Sequence, residues 1–220
     1  MRLAIIGGGP AGYSAAFEAA AQGIDTVLIE NKGLGGRCLR EGCIPTKSLR
    51  ASADAFVLAK RLSGFGVFGF SDAQLDLPTV QKRKEKIIAT LLAGLEKTAS
   101  NFSIKYLQGH ARLLTPNEVL IQSPDDEQIL RCDKILIATG SQDRCLAALL
   151  PDGKHILSSS QALALSQVPK SIIILGGGVI GSELACIFRA FGSEVCIVEA
   201  RERILPLDEI DSDISKLLSK

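Results

Sequence analysis

The chain has 220 residues, of which 46% are hydrophobic and 22% charged, and its formal net charge is +1 at pH 7. These values are typical of a globular protein that buries a substantial core. The small net charge and the absence of Trp argue against binding to nucleic acid or to an anionic membrane surface. The apolar runs are too short to span a bilayer, and a strand pattern begins directly after Met1, which leaves no room for a targeting peptide. We therefore predict a cytoplasmic protein without nucleic-acid or membrane partners.

An internal repeat is the strongest organisational signal in the chain. Each copy is a short apolar strand, a glycine-rich turn, an apolar helix and a second strand that ends in glutamate. The copies are offset by 169 positions. The predicted segments are strand 3–6, helix 13–22 and strand 26–29 in the first copy, and strand 172–175, helix 182–191 and strand 195–198 in the second. We predict an α/β fold with two Rossmann-like units.

Each copy carries the residues with which such a turn binds a dinucleotide. The pattern Gly-x-Gly-x-x-Gly and the acid 18 positions later are formed by Gly7, Gly9, Gly12 and Glu30, and again by Gly176, Gly178, Gly181 and Glu199. The first glycine permits the tight turn, the second lets the backbone approach a pyrophosphate, and the third lets helix and strand pack closely. The helix N-terminus attracts phosphate, and the glutamate accepts hydrogen bonds from ribose hydroxyls. Two tight turns without ligands are the competing interpretation, which the matched acids make the weaker one.

The second site is predicted to prefer NAD over NADP. The carboxylate of Glu199 would repel a 2′-phosphate at the ribose. Arg201 and Arg203 lie close to it in sequence and keep the expected preference moderate.

The segment between the two copies is predicted to hold two helices and a small β-meander. The helices cover 44–62 and 80–99, and the strands of the meander are 104–107, 119–121 and 135–137. Lys82, Arg83, Lys84 and Lys86 are expected to form a solvent-exposed face of the second helix. We predict two domains, 1–148 and 149–220, each built on one of the two dinucleotide-binding copies.

Cys38 and Cys43 form a closely spaced pair just after the first copy. A tight loop containing Gly42 can bring the two sulfurs together. Cys43 precedes Pro45 and hence lies near a predicted helix N-terminus, where the helix dipole favours thiolate over thiol. Beside an oxidised flavin such a thiolate is a good electron donor, while the other sulfur can exchange with an external dithiol or disulfide. We interpret the pair as a redox-active dithiol.

Zinc binding is the alternative for this pair. A structural zinc site needs two further ligands, and the remaining Cys and His residues form no second pair with ligand spacing. We therefore predict no metal site. The other cysteines, Cys132, Cys145, Cys186 and Cys196, are expected to be small buried hydrophobic residues.

With these motifs the sequence resembles the pyridine nucleotide–disulfide oxidoreductases. The resemblance is carried by residues 7–13, 38–47, 109–111, 138–141, 176–183 and 203–206, in the family's order along the chain. It is strongest to the branch that oxidises the dihydrolipoyl groups of 2-oxoacid dehydrogenase complexes. Glutathione and mercuric reductases share much of it.

The resemblance implies FAD in the first site and NAD in the second. It implies that Cys38 exchanges with the substrate, that Cys43 faces the flavin, and that Lys47 lies near the flavin. Lys47 is expected to pair with Glu183, and further cofactor contacts are implied for Gly36, Ala111, Thr139 and Gly140. The implied reaction passes electrons from a dihydrolipoyl dithiol through the Cys38–Cys43 disulfide and FAD to NAD⁺. An NAD(P)H-dependent disulfide reductase and a non-catalytic dinucleotide-binding fragment are the alternatives.

The chain departs from the family pattern in two respects. Arg37 stands where the family commonly has a small or β-branched residue, and it is expected either to contact a phosphate or to crowd the flavin. Family members are also about twice as long. This chain is therefore expected to be inactive by itself, and a homodimer is expected only for a full-length form.

Overall fold

The computed structural model describes residues 1–124, 126–208 and 210–219. The chain divides into two compact units, residues 1–44 with 86–144 and residues 45–85 with 145–220. Neither unit is continuous in sequence. The assignment of a FAD-binding domain to 1–148 and an NAD-binding domain to 149–220 stays a prediction, and it differs from this division mainly in placing 45–85 with the first domain.

The order of helices and strands contains the predicted repeat. The elements are β1 (Arg2–Ile6), α1 (Pro10–Ala21), β2 (Asp25–Glu30), α2 (Gly36–Glu41), α3 (Cys43–Arg61), a 3₁₀ turn (Leu62–Phe65), α4 (Leu77–Asn101), β3 (Lys105–Gln108), β4 (His110–Thr115), β5 (Glu118–Gln122), β6 (Glu127–Arg131), β7 (Lys134–Ile137), α5 (Ser159–Ala162), β8 (Ser171–Leu175), α6 (Val179–Phe191), β9 (Glu194–Val198) and α7 (Ser212–Leu218). The repeat of strand, helix and strand is confirmed as β1–α1–β2 and β8–α6–β9. Both repeat helices begin three residues earlier than predicted, directly after the second glycine of each turn.

In the first unit, two sheets pack on one another and on helix α1. The larger is parallel with the order β3–β2–β1–β7, and the smaller is antiparallel with the order β4–β5–β6. Neighbouring residues of a strand face opposite sides of a sheet. Accordingly Ile5 is buried with Ala16 of α1, whereas Ala4 is buried with Val119 and Ile121 of the antiparallel sheet. The carboxyl ends of β1 and β2 thus lead into the first glycine turn and to Glu30.

The predicted meander exists, but two of its three strands were assigned to it wrongly. Only the strand at 118–122 belongs to the antiparallel sheet, and the segments at 105–108 and 134–137 join the parallel sheet. A short apolar run is compatible with either kind of strand, so the pattern alone could not tell which sheet these segments join.

In the second unit, helix α6 supplies the centre of the core. Leu184, Ile187 and Phe188 pack against residues of α3 and α4, among them Leu49, Ala53 and Leu77. Strands β8 and β9 pair in parallel, and the apolar face of α6 holds them through Ile174. Among the described helices, we find none with the length and apolar character that crossing a membrane requires.

The expectation of a solvent-exposed basic face on α4 is wrong for Lys84. This side chain is buried, and its ammonium donates a hydrogen bond to the carbonyl oxygen of Leu163 at 3.1 Å. Burial disfavours the charged form and so lowers the pKa of Lys84. Its neighbour Arg83 donates to the carbonyl and hydroxyl of Ser48, at 3.2 and 3.1 Å. These two cations therefore fix backbone carbonyls within the second unit.

The expectation that the four other cysteines are buried is confirmed only for Cys132. Burial raises the pKa of this thiol. Cys186 is half-buried, whereas Cys145 and Cys196 are exposed. Cys196 lies on β9, at an edge of its sheet in the described part of the chain. A side chain on an edge strand can stay exposed to solvent even when it is small and apolar.

Candidate dinucleotide sites and redox dithiol

The first glycine turn adopts a backbone that only glycine accommodates at two of its positions. Gly7 has a φ of +110°, in the left-handed region, and its N–H donates to the carbonyl of Ile29 at 2.8 Å. A Cβ on Gly12 would overlap the carbonyl oxygen of Gly7. Helix α1 starts with Gly9 as its N-cap. Its unpaired N–H groups therefore lie at the turn, as a phosphate site requires.

The second glycine turn repeats this backbone. Gly176 has a φ of +102°, and its N–H donates to the carbonyl of Val198 at 2.8 Å. A Cβ on Gly181 would overlap the carbonyl oxygen of Gly176, and Gly178 is the N-cap of α6. Two segments separated by 169 positions thus have the same turn backbone, and the binding of phosphate at either turn stays a prediction.

The two predicted glutamates are fixed beside their turns by backbone hydrogen bonds. Glu30 accepts hydrogen bonds from the N–H groups of Gly8, at 2.7 Å, and Lys32, at 2.8 Å. Glu199 accepts from the N–H groups of Gly177, at 2.6 Å, and Arg201, at 2.9 Å. The bonds from Arg201 and Gly177 lower the pKa of Glu199. A carboxylate has lone pairs for further donors, so each glutamate can still accept ribose hydroxyls. The sequence indicated the acids but not these bonds.

The loop after β7 covers one side of the first turn. The N–H of Ala138 donates to the carbonyl of Ile6 at 2.8 Å. A Cβ on Gly7 would overlap the carbonyl oxygen of Ala138 and would lie 3.1 Å from the amide nitrogen of Thr139. Gly140 follows with a φ of +75°. Thr139 and Gly140 therefore lie at the turn, and their contact with FAD stays a prediction.

The segment before α2 covers the other side of the first turn. The N–H of Gly35 donates to the carbonyl of Gly8 at 2.9 Å. Gly36 has a φ of +58°, and a Cβ placed on it would clash with the Cα of Gly9. The start of α2 thus approaches the turn backbone as closely as glycine allows. Gly36 therefore lies at the turn, and its contact with FAD stays a prediction.

Ala111 lies farther along the same unit, on β4. The N–H of Gly109, just before this strand, donates to the carbonyl of Glu30 at 3.1 Å. Ala111 is therefore two residues from a direct contact with the end of β2. Its backbone contact with FAD stays a prediction.

Cys38 and Cys43 form a disulfide, as the family resemblance implied. Their Cα atoms are 4.7 Å apart, and a Cβ on Gly42 would lie 3.2 Å from the carbonyl oxygen of Arg37. Cys38 lies in α2 and is half-buried, whereas Cys43 is exposed and is the first residue of α3. In the described part of the chain, no three His, Cys, Asp or Glu side chains are arranged to hold a metal ion. The individual roles of the two sulfurs stay predictions.

Lys47 and Glu183 form the expected ion pair within the second unit. The Nζ of Lys47, on α3, lies 2.5 Å from Oε1 of Glu183, near the start of α6. The side chain of Lys47 is 62% exposed, so solvent screens the pair, and its net contribution to stability is below about 1 kcal/mol. The pairing is present, while the position of Lys47 near the flavin stays a prediction.

Arg37 makes a contact that the sequence did not indicate. Its guanidinium pairs with the carboxylate of Asp143, with Nη2 and Oδ1 2.5 Å apart. The two residues are 106 positions apart. Neither the motifs nor the family resemblance links these two residues, so only the fold reveals the pair.

The sequence matches the pyridine nucleotide-disulphide oxidoreductase family over residues 1–220. A dihydrolipoyl dehydrogenase of Bacillus subtilis (strain 168) is 42% identical over 221 residues, which cover 100% of this chain and 48% of that protein. The leghemoglobin reductase of Glycine max is 37% identical over 216 residues, which cover 97% of this chain and 41% of that protein. The chain thus spans about half the length of the curated relatives it matches.

Solved structures lead to the same family. The crystal structure of LpdA from Mycobacterium tuberculosis has a TM-score of 0.89 and 28% identity, and the match covers 99% of this chain and 48% of that chain. The HOCl-induced flavoprotein disulfide reductase RclA from Escherichia coli has a TM-score of 0.80 and 28% identity, with 100% of this chain and 47% of that chain covered. FAD and NAD are the cofactors of this family. The expected fold class is confirmed, and the chain belongs to the pyridine nucleotide-disulphide oxidoreductase family.

Proposed function

We propose that the chain acts in a flavoprotein of the dihydrolipoyl dehydrogenase type. Such a protein passes electrons from a dihydrolipoyl dithiol through the Cys38–Cys43 disulfide and FAD to NAD⁺. The observation that carries the proposal is the position of the disulfide. Cys38 lies two residues after Gly36, whose backbone packs directly on the first glycine turn at Gly9. A redox-active pair is thereby attached to the wall of a dinucleotide cradle.

The residues around the first turn fit the pyrophosphate and ribose of FAD. The N-terminus of α1 offers N–H groups to phosphate, and Gly9 keeps the approach free of a side chain. Glu30, fixed by two backbone N–H groups, is positioned to accept from a ribose hydroxyl. When bound, FAD supplies the two-electron acceptor that the protein side chains lack.

The second turn fits NAD better than NADP. Glu199 is held ionised beside the turn, where it would repel a 2′-phosphate. The guanidinium of Arg201 donates to the carbonyl of Pro206 at 3.0 Å. Arg203 donates to the carbonyls of Leu207 and Ile210, at 3.0 and 2.9 Å. Each arginine thus already donates to a backbone carbonyl but keeps further N–H donors, so the proposed preference for NAD rests on the carboxylate of Glu199.

The dithiol chemistry follows from the place of each sulfur in the chain. A substrate thiolate attacks Sγ of Cys38, the S–S bond breaks, and Cys43 leaves as a thiolate. The N-terminus of α3 stabilises this leaving group, and a thiolate of lower pKa leaves faster. The second substrate thiol then attacks the substrate sulfur of the mixed disulfide and releases Cys38. The substrate leaves as a cyclic disulfide, and two electrons stay on the cysteine pair.

The partners and location of the protein are also proposals. We infer a small dithiol or disulfide substrate, with a 2-oxoacid dehydrogenase complex as the macromolecular partner. The support is the similarity to proteins named dihydrolipoyl dehydrogenase. A homodimer is proposed for a form as long as these relatives. The cytoplasmic location is supported by composition alone, and fractionation of cells tests it.

An NAD(P)H-dependent disulfide reductase is the second candidate. The similarity to a flavoprotein disulfide reductase supports it, although the identity of 28% is lower than the 42% to a dihydrolipoyl dehydrogenase. Relative binding of NADH and NADPH separates the two candidates. We expect NADH to bind more tightly, and Glu199→Ala should reduce that preference.

The proposed function is tested on the purified chain in two steps. Visible absorption measures bound FAD, which we expect near one per chain. Thiol titration before and after addition of dihydrolipoamide should then reveal two new thiols per chain. In the control, Cys38→Ser with Cys43→Ser, no thiols should appear. A colourless protein that gains no thiols would contradict the proposal.

A further inference from the structure

Arg37 and Asp143 connect the two segments that enclose the first glycine turn. Arg37 is the second residue of α2, the helix that carries Cys38. Asp143 lies six residues after β7, in the loop that begins at Ala138. Nη2 and Oδ1 are 2.5 Å apart, and the side chains are 32% and 37% exposed. The contact is therefore a half-buried ion pair, less screened than one in open solvent.

The ion pair completes a ring of contacts around the turn. On one side, the N–H of Gly35 donates to the carbonyl of Gly8. On the other side, the N–H of Ala138 donates to the carbonyl of Ile6. Each of the two segments contacts the turn near its first residue. The ion pair adds a direct link between α2 and the 138–143 loop.

We infer that Arg37 and Asp143 form a clasp that retains FAD in the first cradle and positions the helix that carries Cys38. The inference rests on the proposed function, because it takes FAD as the occupant of this cradle. Both are positioning residues, since they act through α2 and the loop and not on the reacting atoms. The clasp also neutralises Arg37, so its guanidinium is directed to a carboxylate of the loop.

The second turn has no counterpart of this clasp within the described residues. A Cβ on Gly176 or Gly178 would meet nothing within 4 Å. One contact of the ring recurs at the second turn, where the N–H of Leu205 donates to the carbonyl of Gly177, the equivalent of Gly8, at 2.6 Å. What distinguishes the first turn among the described residues is the close approach of Ala138 to Gly7 and the ion pair that joins the two enclosing segments. Because the ion pair encloses the turn proposed to bind FAD, its loss should be measured as faster release of FAD.

The test is the rate at which FAD leaves the protein, followed by the fluorescence of the released cofactor. Arg37→Met and Asp143→Asn should each accelerate release about fivefold, which corresponds to about 1 kcal/mol. The double variant should be no faster than either single variant, because both remove one interaction. Rising salt should accelerate release from the wild-type chain but not from the variants.

Three further variants distinguish the clasp from a general loss of structure. Arg37→Lys and the exchange Arg37→Asp with Asp143→Arg keep an ion pair, and both should restore slow release. Arg131→Met is the matched control, because it removes the ion pair of Arg131 with Glu118 in the same unit. Its release rate should equal that of the wild-type chain.

The outcomes separate this inference from the proposed function. If Arg37→Met accelerates release and Asp143→Asn does not, the guanidinium acts on the cofactor itself and the clasp is wrong. If neither changes release from a yellow wild-type protein, the clasp fails while the proposed function stands. If the wild-type chain binds no FAD, the proposed function fails. Amide hydrogen exchange then tests the clasp without the cofactor. Arg37→Met and Asp143→Asn should each accelerate exchange in residues 36–41 and 138–143, and to the same extent. Exchange rates equal to those of the wild-type chain would overturn the clasp.

Discussion

The two glycine turns have the same backbone and different surroundings. In the first, Ala138 and Gly36 approach the turn so closely that a Cβ on either Gly7 or Gly36 would collide with backbone. In the second, the position equivalent to Gly7 is open, and the close neighbour is Ile204, 2.9 Å from a Cβ on Gly177. The comparison teaches that the local pattern sets the turn, while segments distant in sequence decide how enclosed it is.

Alanine at the third glycine should have the largest effect and the same effect in both turns. In Gly12→Ala and Gly181→Ala the new Cβ overlaps a carbonyl oxygen of the turn, so each should cost at least about 3 kcal/mol, at the upper end of overpacking costs. Urea unfolding measures the loss. Gly94→Ala is the control, since its Cβ meets nothing within 4 Å and an exposed helix gains about 0.5–1 kcal/mol from this change. Unequal losses at the two turns would show that the surroundings matter here too.

Alanine at the first glycine should separate the two turns. Gly7→Ala and Gly176→Ala both place a side chain at positive φ, which costs about 1–2 kcal/mol. Only at Gly7 does the Cβ also overlap the carbonyl oxygen of Ala138, which should add at least about 1 kcal/mol. The same unfolding measurements compare them. Equal losses of unfolding free energy would mean that the loop after β7 can move away from the new Cβ without destabilising the protein.

The smallest effect is expected for the carboxylate of the second turn and depends on pH. Backbone N–H groups lower the pKa of Glu199 in the folded chain. Its contribution is therefore present above the ordinary glutamate pKa and is lost as pH falls through the folded value. Over the acidic range below the ordinary glutamate pKa, the wild-type chain should therefore lose its stability advantage over Glu199→Gln. Unfolding midpoints of both proteins along this range measure the effect, and a constant gap would contradict it.

Apart from the Lys47–Glu183 pair, which the family resemblance implied, the features that the sequence predicted are set by residues close together in the chain. Gly7, Gly12 and Glu30 lie within one strand–helix–strand unit, so their spacing alone determines how they meet. The Cys38–Cys43 pair is equally local, because five positions bridged by a tight loop suffice to form a disulfide. These parts of the candidate site were therefore accessible without coordinates.

The features that the sequence did not predict depend on packing between distant segments. The segment at 105–108 pairs with β2, and nothing in its own residues distinguishes that partner from the antiparallel sheet. Lys84 looks like any surface lysine until α4 packs against Leu163. Arg37 and Asp143 meet only because α2 and the loop after β7 enclose one turn.

The discontinuous second unit has a consequence for synthesis on the ribosome. Leu49 and Leu77 share a core with Ile187, which is translated about 110 residues after Leu77, a delay of roughly 5 to 20 s at usual rates. During that interval these leucines lack the residues of α6 against which they pack in the folded protein. The core of the second unit consequently cannot be completed until helix α6 has been synthesised.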